Sequence, residues 1–358
     1  MNSPLLSTPG AAAAPEDSPD TGVAWHYGDP FGEQRAATSS TIVVDRSNRG
    51  IIAVPGADRL SWLHSLTSQH LTELANGHGT EALLLDINGR VEQHMVLADI
   101  DGTTWIDTEA SGADSLLRYL QKMVFWADVQ PRDAAEELAV LSVRGPTADL
   151  LLELPGEVYG VTPLSGGGFV RRMPAPEGTQ AADVLVPRPS LTEWWERLRS
   201  AGARAAGSWA YEALRVEARW PRAGVDTDER AIPHEMGWIG RAVHLNKGCY
   251  RGQETVARVH NLGKPPRRLV LLHLDGSADG RPQTGDDVTA GGRVVGRVGT
   301  VVDHHELGPI ALALVKRSVP VDTELVAGPC AAAIDPDSVA AQEQEQAGRA
   351  AVSRLRGR

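Results

Sequence analysis

Apolar and polar positions along the chain repeat with two different periods, and the two periods fall in different regions. Leu60, Leu63 and Leu66 recur at helical spacing behind the turn Pro55-Gly-Ala, which predicts a helix opening near Asp58. Glu81 to Ile87 and Val91 to Ala98 read as strands, and Asn88-Gly89 between them favours an antiparallel hairpin closed by a two-residue turn. Ser111 with Asp114 has the spacing of a capping box ahead of Leu116, Leu117, Leu120 and Val124. The same device, Ser190 with Glu193, precedes Trp194, Trp195 and Leu198, a run that stops at Gly202. A strand from Leu138 to Val143 meets a helix at Gly145-Pro146, and a further helix from Ser208 carries Leu214 and ends before Pro221.

Beyond Pro265-Pro266 the texture changes to short β-type runs, 268–274, 293–302, 310–315 and 324–326, each bounded by Gly, Pro or Asp. Mixed helices and strands followed by strands alone predict an α+β body and a separate small barrel or sandwich. The expected divisions are a disordered tail over 1–22, the body over 23–263, an antiparallel barrel over 264–335 and a second disordered tail over 336–358. Both ends are rich in small and polar residues without apolar periodicity.

Composition narrows the function. With 42% hydrophobic residues the chain can bury a sizeable core, and a net charge of -11 repels a phosphate backbone, so direct nucleic-acid binding is not expected. No apolar run approaches the roughly 18 residues of a membrane span, and the first Lys or Arg is Arg35, unlike a secretory or transit leader, so a cytoplasmic, membrane-free protein is expected. Two cysteines, Cys249 and Cys330, are too few for a tetrahedral zinc site or a four-cysteine cluster within one chain.

Charge is concentrated between His244 and Arg268, where six basic residues (Lys247, Arg251, Arg258, Lys264, Arg267, Arg268) stand against one acid, Glu254. Such a patch suits an anion, for example a carboxylate-rich cofactor tail; alternatively, these cations balance acids such as Glu229 and Glu235. Gly248 and Gly252 permit close backbone approach, and a helix can begin near Gln253. Cys249, beside Lys247, Arg251 and that helix start, is a candidate nucleophile or redox-sensitive thiol; the other reading is a small buried residue in a tight turn. Cys330 reads as structural. His304-His305-Glu306 reads as a solvated turn, His234-Glu235 lacks the second histidine of a zinc-protease helix, and Gly166-Gly167-Gly168 reads as a loop without a phosphate-binding motif.

Lys247-Gly-Cys-Tyr-Arg-Gly-Gln-Glu254, continued by Val256-Ala-Arg258, resembles the signature of the YgfZ family of folate-binding proteins, relatives of the glycine-cleavage T-protein. Val54-Pro-Gly-Ala-Asp-Arg-Leu60, Leu214-Arg-Val-Glu-Ala218 and Ile232-Pro-His-Glu-Met-Gly-Trp238 resemble further T-protein segments, so the similarity runs from about Val23 to Ala333. The resemblance implies interleaved α+β subdomains around a central folate pocket, closed by a β-barrel. It implies tetrahydrofolate as cofactor, with Arg215, Glu92, Gln93, Trp238 and Arg258 as binding candidates and Cys249, Lys247, Arg251 and Glu254 as reactive-site candidates. It also implies a role supporting iron–sulfur enzymes or their assembly factors, with effects on tRNA modification. Arg215 has an alternative as an ion pair with Glu212 or Glu217, and Trp238 as core packing. One departure matters: aminomethyltransferases carry paired aspartates after G-G-I-I, whereas here Glu92-Gln93 follows Gly89-Arg-Val, and a glutamine cannot exchange a proton as a carboxylate does. Neighbouring strand residues face opposite sides, so only one of the two can point into a pocket. A folate-dependent one-carbon transferase or demethylase is the alternative function.

Overall fold

A computed structural model describes residues 2–339 of the chain. The chain folds as two units that exchange segments. One comprises residues 2–212 and 239–255; the other comprises 213–238 and 256–339. The expected boundary at residue 264 thus becomes an interleaving.

The first unit has two sheets. Five strands lie in the order His78–Leu85, Val91–Ile100, Thr103–Thr108, Gly50–Pro55 and Arg132–Asp133. Six more lie in the order Val161–Pro163, Phe169–Met173, Gln180–Pro187, Leu138–Gly145, Ile42–Asp45 and Arg204–Ala206, the last pair parallel. Alternation gives each sheet two apolar faces. Ile51, Ala53 and Ala98 of one sheet join Val140, Phe169 and Leu185 of the other in a shared core. The outer face of the first sheet packs beneath Arg59–Leu66 and Ala110–Lys122, which contribute Trp62, Leu63, Leu116 and Leu120. The outer face of the second receives Trp194, Trp195 and Leu198 from Leu191–Ser200.

A charged chain crosses the space between the sheets. Arg171, with no exposed surface, donates to Asp107 at 2.6 Å and Asp183 at 3.0 Å, and Asp107 also receives Arg49 at 2.7 Å. Because each ion is stripped of water, each needs its partners.

In the second unit, six antiparallel strands close into a barrel: Arg267–Leu274, Gly308–Lys316, Arg293–His304, Asp287–Ala290, Leu325–Ala327 and Cys330–Ile334, with the last pairing back to the first. Val270, Leu272, Val298, Ala313 and Leu325 fill it.

Several expectations need correction. The first 22 residues are packed against the body: Leu5 is 2% exposed, the Ser3 hydroxyl donates to Asp45 at 2.5 Å, and Ala12–Ala13 pairs with Ala24–His26. Pro336 to Val339 are helical with Val339 buried, while the rest of the second expected tail lies outside the described residues. Glu109, rather than Ser111, occupies the N-cap position of the helix Ala110–Lys122, and neither it nor Ser190 makes a side-chain cap bond. His304 is buried, not solvated: its Nδ1 accepts the backbone N–H groups of Glu306 and Leu307, both at 3.2 Å, and its Nε2 lies 3.4 Å from Glu217.

Truncating Arg171 to Ala would remove the cation that Asp107 and Asp183 share. The expected loss is about 3–5 kcal/mol, read from urea unfolding; a loss below about 1 kcal/mol, the range of an exposed pair, would show the ion chain to be dispensable.

Candidate functional site

The hairpin His78–Leu85/Val91–Ile100 turns through three residues, not two. Asp86 N–H bonds the Arg90 carbonyl at 2.9 Å, and the Asp86 carboxylate accepts the N–H groups of Asn88 and Arg90, both at 2.8 Å. That side chain stabilises the longer loop, with Gly89 at φ +74 in its left-handed position. Against this tip lies Gly252, at φ +81, where a Cβ would stand 2.6 Å from the Asp86 carbonyl oxygen and 2.6 Å from Gly89 Cα. Two glycines therefore let two backbones touch.

The segment 239–255 is laced to this hairpin along its length. The Ser68 hydroxyl donates to the Ala242 carbonyl at 2.6 Å and accepts Leu83 N–H at 2.9 Å, while His244 N–H donates to the Ser68 carbonyl at 3.0 Å. Lys247, 5% exposed, points inward. Its ammonium donates to the carbonyls of His64, Thr67 (2.5 Å) and Gln69 (3.0 Å), where Arg59–Leu66 ends and leaves carbonyls without helical partners. Burial pushes this amine down to about 8. Tyr250 is buried too, its ring centroid 5.0 Å from the ammonium. Between these two anchors Cys249 is exposed, four residues ahead of the helix Gln253–Leu262. Arg251 then pairs with Glu92 at 3.1 and 3.3 Å on a partly exposed surface.

Glu92 and Gln93 face opposite sides of their strand. Gln93 Nε2 donates to the Ser115 hydroxyl at 3.0 Å, and its amide fills the space above Gly112, so it is directed at the helix Ala110–Lys122. The opposite face carries a cluster that the sequence reading did not single out. Glu81, 1% exposed, accepts the Tyr159 hydroxyl, His94 Nε2 at 2.8 Å, and Arg241 Nη2 at 2.8 and 3.1 Å. Burial alone would raise the Glu81 carboxyl, but the His94 bond, the charges of His94 and Arg241 and the Tyr159 hydroxyl outweigh it and hold it well below the usual carboxylate range. Tyr159 occupies the left-handed region at φ +65, a costly position for an aromatic residue. A single signal was present in sequence: Glu81 is the charged residue in an otherwise apolar strand run.

The remaining candidates are dispersed. In the second unit Arg215, 5% exposed, donates to Asp226 at 2.8 Å, to the Thr300 hydroxyl at 2.5 Å and to the Trp220 carbonyl. Trp238 has no exposed surface. Arg267 grips Glu235 and Asp228, so part of the basic patch is internally neutralised. Glu254 and Arg258 are exposed positions of Gln253–Leu262. Cys330 is buried and donates to the Gly280 carbonyl. Among the described residues no three or more His, Cys, Asp or Glu side chains are placed to hold a metal ion, and no helix is long and apolar enough to cross a membrane.

Comparison with known proteins agrees with this geometry. Residues 25–156 match the GCVT N-terminal domain and residues 267–341 match the CAF17 C-terminal β-barrel domain, together more than half of the chain. A putative chloroplastic transferase of Arabidopsis thaliana is 27% identical over 286 residues, 74% of this chain; the chain spans 62% of that relative's length. The aminomethyltransferase of Rubrobacter xylanophilus is 28% identical over 303 residues, covering 82% of this chain and 79% of its own. In structure, the glycine cleavage system aminomethyltransferase T from Bartonella henselae superposes with a TM-score of 0.79 at 20% identity, covering 92% of this chain and 94% of that one, which establishes the T-protein fold.

Because the folded-state Glu81 carboxyl lies below its ordinary value of 4.5, its contribution to stability is complete above about that pH and is lost as pH falls below it. Glu81→Gln is expected to cost about 3–5 kcal/mol at pH 7 and to flatten the stability curve between pH 3 and 5. Urea titrations across that range check it; parallel curves for the two proteins would contradict the assignment.

Proposed function

Because the chain belongs to the YgfZ/CAF17 family, joining a GCVT N-terminal domain to a CAF17 C-terminal β-barrel, we propose that it is a tetrahydrofolate-binding accessory protein. Its role in this reading is to support assembly or repair of iron–sulfur enzymes, and through them tRNA modification. The observation that carries the reading is the presentation of Cys249. An exposed thiol stands between two buried anchors, Lys247 and Tyr250, on a segment bonded to residues 64–69 and, through Arg241 and Arg251, to the hairpin. Such rigid presentation suits transient covalent or ligand contact with a client better than a role in packing.

For the folate, the side chains that fit are those on the open polar face. Glu92, His94 and Arg241 keep 38%, 15% and 34% of their side-chain surface exposed and combine acceptors with donors, as the edge of a pterin requires. Trp238 is buried and Arg215 is bonded to Asp226 and Thr300 within the other unit, so neither is a folate contact in this reading. A bound reduced folate would supply a nitrogen that accepts a one-carbon unit. Gln93 is turned into its helix, so in place of the paired aspartates this face offers Glu92, which Arg251 holds.

A second reading, folate-dependent one-carbon transfer or demethylation, is favoured by one feature. His94 bonded to ionised Glu81 is a carboxylate–imidazole pair able to hold and release a proton.

Calorimetry is expected to show tetrahydrofolate binding by both the wild type and Cys249→Ala, while Cys249→Ala fails to restore iron–sulfur enzyme activity in a deletion strain. Absent folate binding together with full restoration by the variant would reject the accessory reading. For the second reading, incubation with tetrahydrofolate and excess methylated or aminomethylated donor is the deciding assay. No one-carbon folate product is expected; product that disappears in His94→Gln would instead make the protein a transferase.

A further inference from the structure

Three histidines meet beside the Lys247 anchor. His64 ends the helix Arg59–Leu66, His70 follows in the turn after it, and His244 arrives with the segment 239–255. Their rings are 4.8 Å apart from His64 to His70, edge to face, and 5.2 Å apart from His70 to His244. His244 is exposed and the other two are half-buried, so the group opens to solvent.

Tautomer chemistry restricts what they can bind. His64 Nδ1 accepts the Leu71 N–H at 3.2 Å, so in the neutral ring the proton sits on Nε2, which is a donor and offers no lone pair to a metal. His70 Nε2 shares a hydrogen bond with the Thr72 hydroxyl at 2.9 Å. The negative end of the helix Arg59–Leu66, which would oppose an anion here, is occupied by Lys247 through the His64 and Thr67 carbonyls. The charged and titratable groups acting on the cluster are Lys247, the three imidazoles themselves and, with opposite sign, Glu73 near His244.

We propose that His64, His70 and His244 form a carboxylate-binding site that receives the γ-glutamyl tail of a folate. The identity of this ligand rests on the folate reading above; the anion site itself does not. The basic residues that the sequence offered for a carboxylate tail are largely engaged: Lys247 by carbonyls, Arg251 by Glu92 and Arg267 by Asp228 and Glu235. The imidazoles supply donors in their place.

Electrostatics gives the site a signature. Burial, and then the charges of Lys247 and the neighbouring histidines, hold His64 below the ordinary imidazole value; burial, His70 and Lys247 do the same to His244, with Glu73 opposing. A carboxylate opposes this repulsion, so binding draws a proton onto the exposed ring of His244. Affinity must then fall with rising pH, by about tenfold per pH unit for each proton taken up.

The test is isothermal titration of the full-length protein with γ-linked triglutamate at pH 6.0 and 7.5, in two buffers of different ionisation enthalpy. The comparison proteins are His244→Gln, at the exposed position, and the triple variant His64→Gln/His70→Gln/His244→Gln. Binding at pH 6.0 with net proton uptake, at least tenfold weaker at pH 7.5 and at least tenfold weaker in the triple variant, is expected. His244→Gln, which leaves the buried anchors intact, should alone weaken binding several-fold. No binding at pH 6.0, no proton uptake, equal affinity in the variants, or equal affinity for acetate or inorganic phosphate would each overturn the proposal. Tetrahydrofolate with a single glutamate is the parallel titrant. Triglutamate binding without tetrahydrofolate binding leaves the site and removes the folate reading, whereas tetrahydrofolate binding without triglutamate binding does the reverse.

Discussion

A buried ammonium with no carboxylate beside it organises the first unit. Taking Lys247 out of water is costly, and what offsets the cost is the end of a helix, whose last carbonyls have no partner of their own. Each group solves the other's problem, and the solution has a geometrical by-product. Lys247 can reach those carbonyls only if its backbone lies along residues 67–70, and that position fixes Cys249 two residues later at the surface. Glu81 is the complementary case, a buried anion satisfied by a hydroxyl, an imidazole and a guanidinium. Arg241, on the same segment as Lys247, contributes to it, so the two buried ions fasten one piece of chain, Lys247 to the helix end and Glu81 to the hairpin.

The local periods were readable because they are set by neighbours in sequence. Leu63 and Leu66, Leu116 and Leu120, and the strands around Asn88-Gly89 occupy the expected faces. The hairpin turn differed by one residue because the Asp86 side chain, absent from a rule based on Asn-Gly, supplies two acceptors to the loop. Composition misjudged the N-terminal residues for a similar reason: a segment poor in apolar residues is still held when one leucine, Leu5, and one hydroxyl, Ser3, find buried partners.

The site was legible only in its contiguous part. Eight residues from Lys247 to Glu254 announced themselves by order and charge, but what each charge does depends on distant partners. Lys247 meets carbonyls near residue 67, Arg241 meets Glu81, and Arg215 meets Thr300. A sequence shows that cations are concentrated; it does not show that most of them are already answered. Glu81 was overlooked because a charged residue in a strand reads as solvent-facing under simple alternation. Here its partners come from the next strand (His94), from Tyr159 and from the distant segment 239–255 (Arg241).

The exchange of segments between the two units bears on how the chain comes into being. The first unit requires residues 239–255, yet residues 213–238 before them belong to the other unit. A ribosome releasing the chain from its N-terminus therefore leaves the strand His78–Leu85 and the helix end at Leu66 without these partners until residues 239–255 have been made. Neither unit can be cut out as a continuous piece, and a fragment stopping short of residue 247 lacks the cation that closes the first. The thiol segment is thus the last part of the first unit to arrive, and its arrival completes that unit.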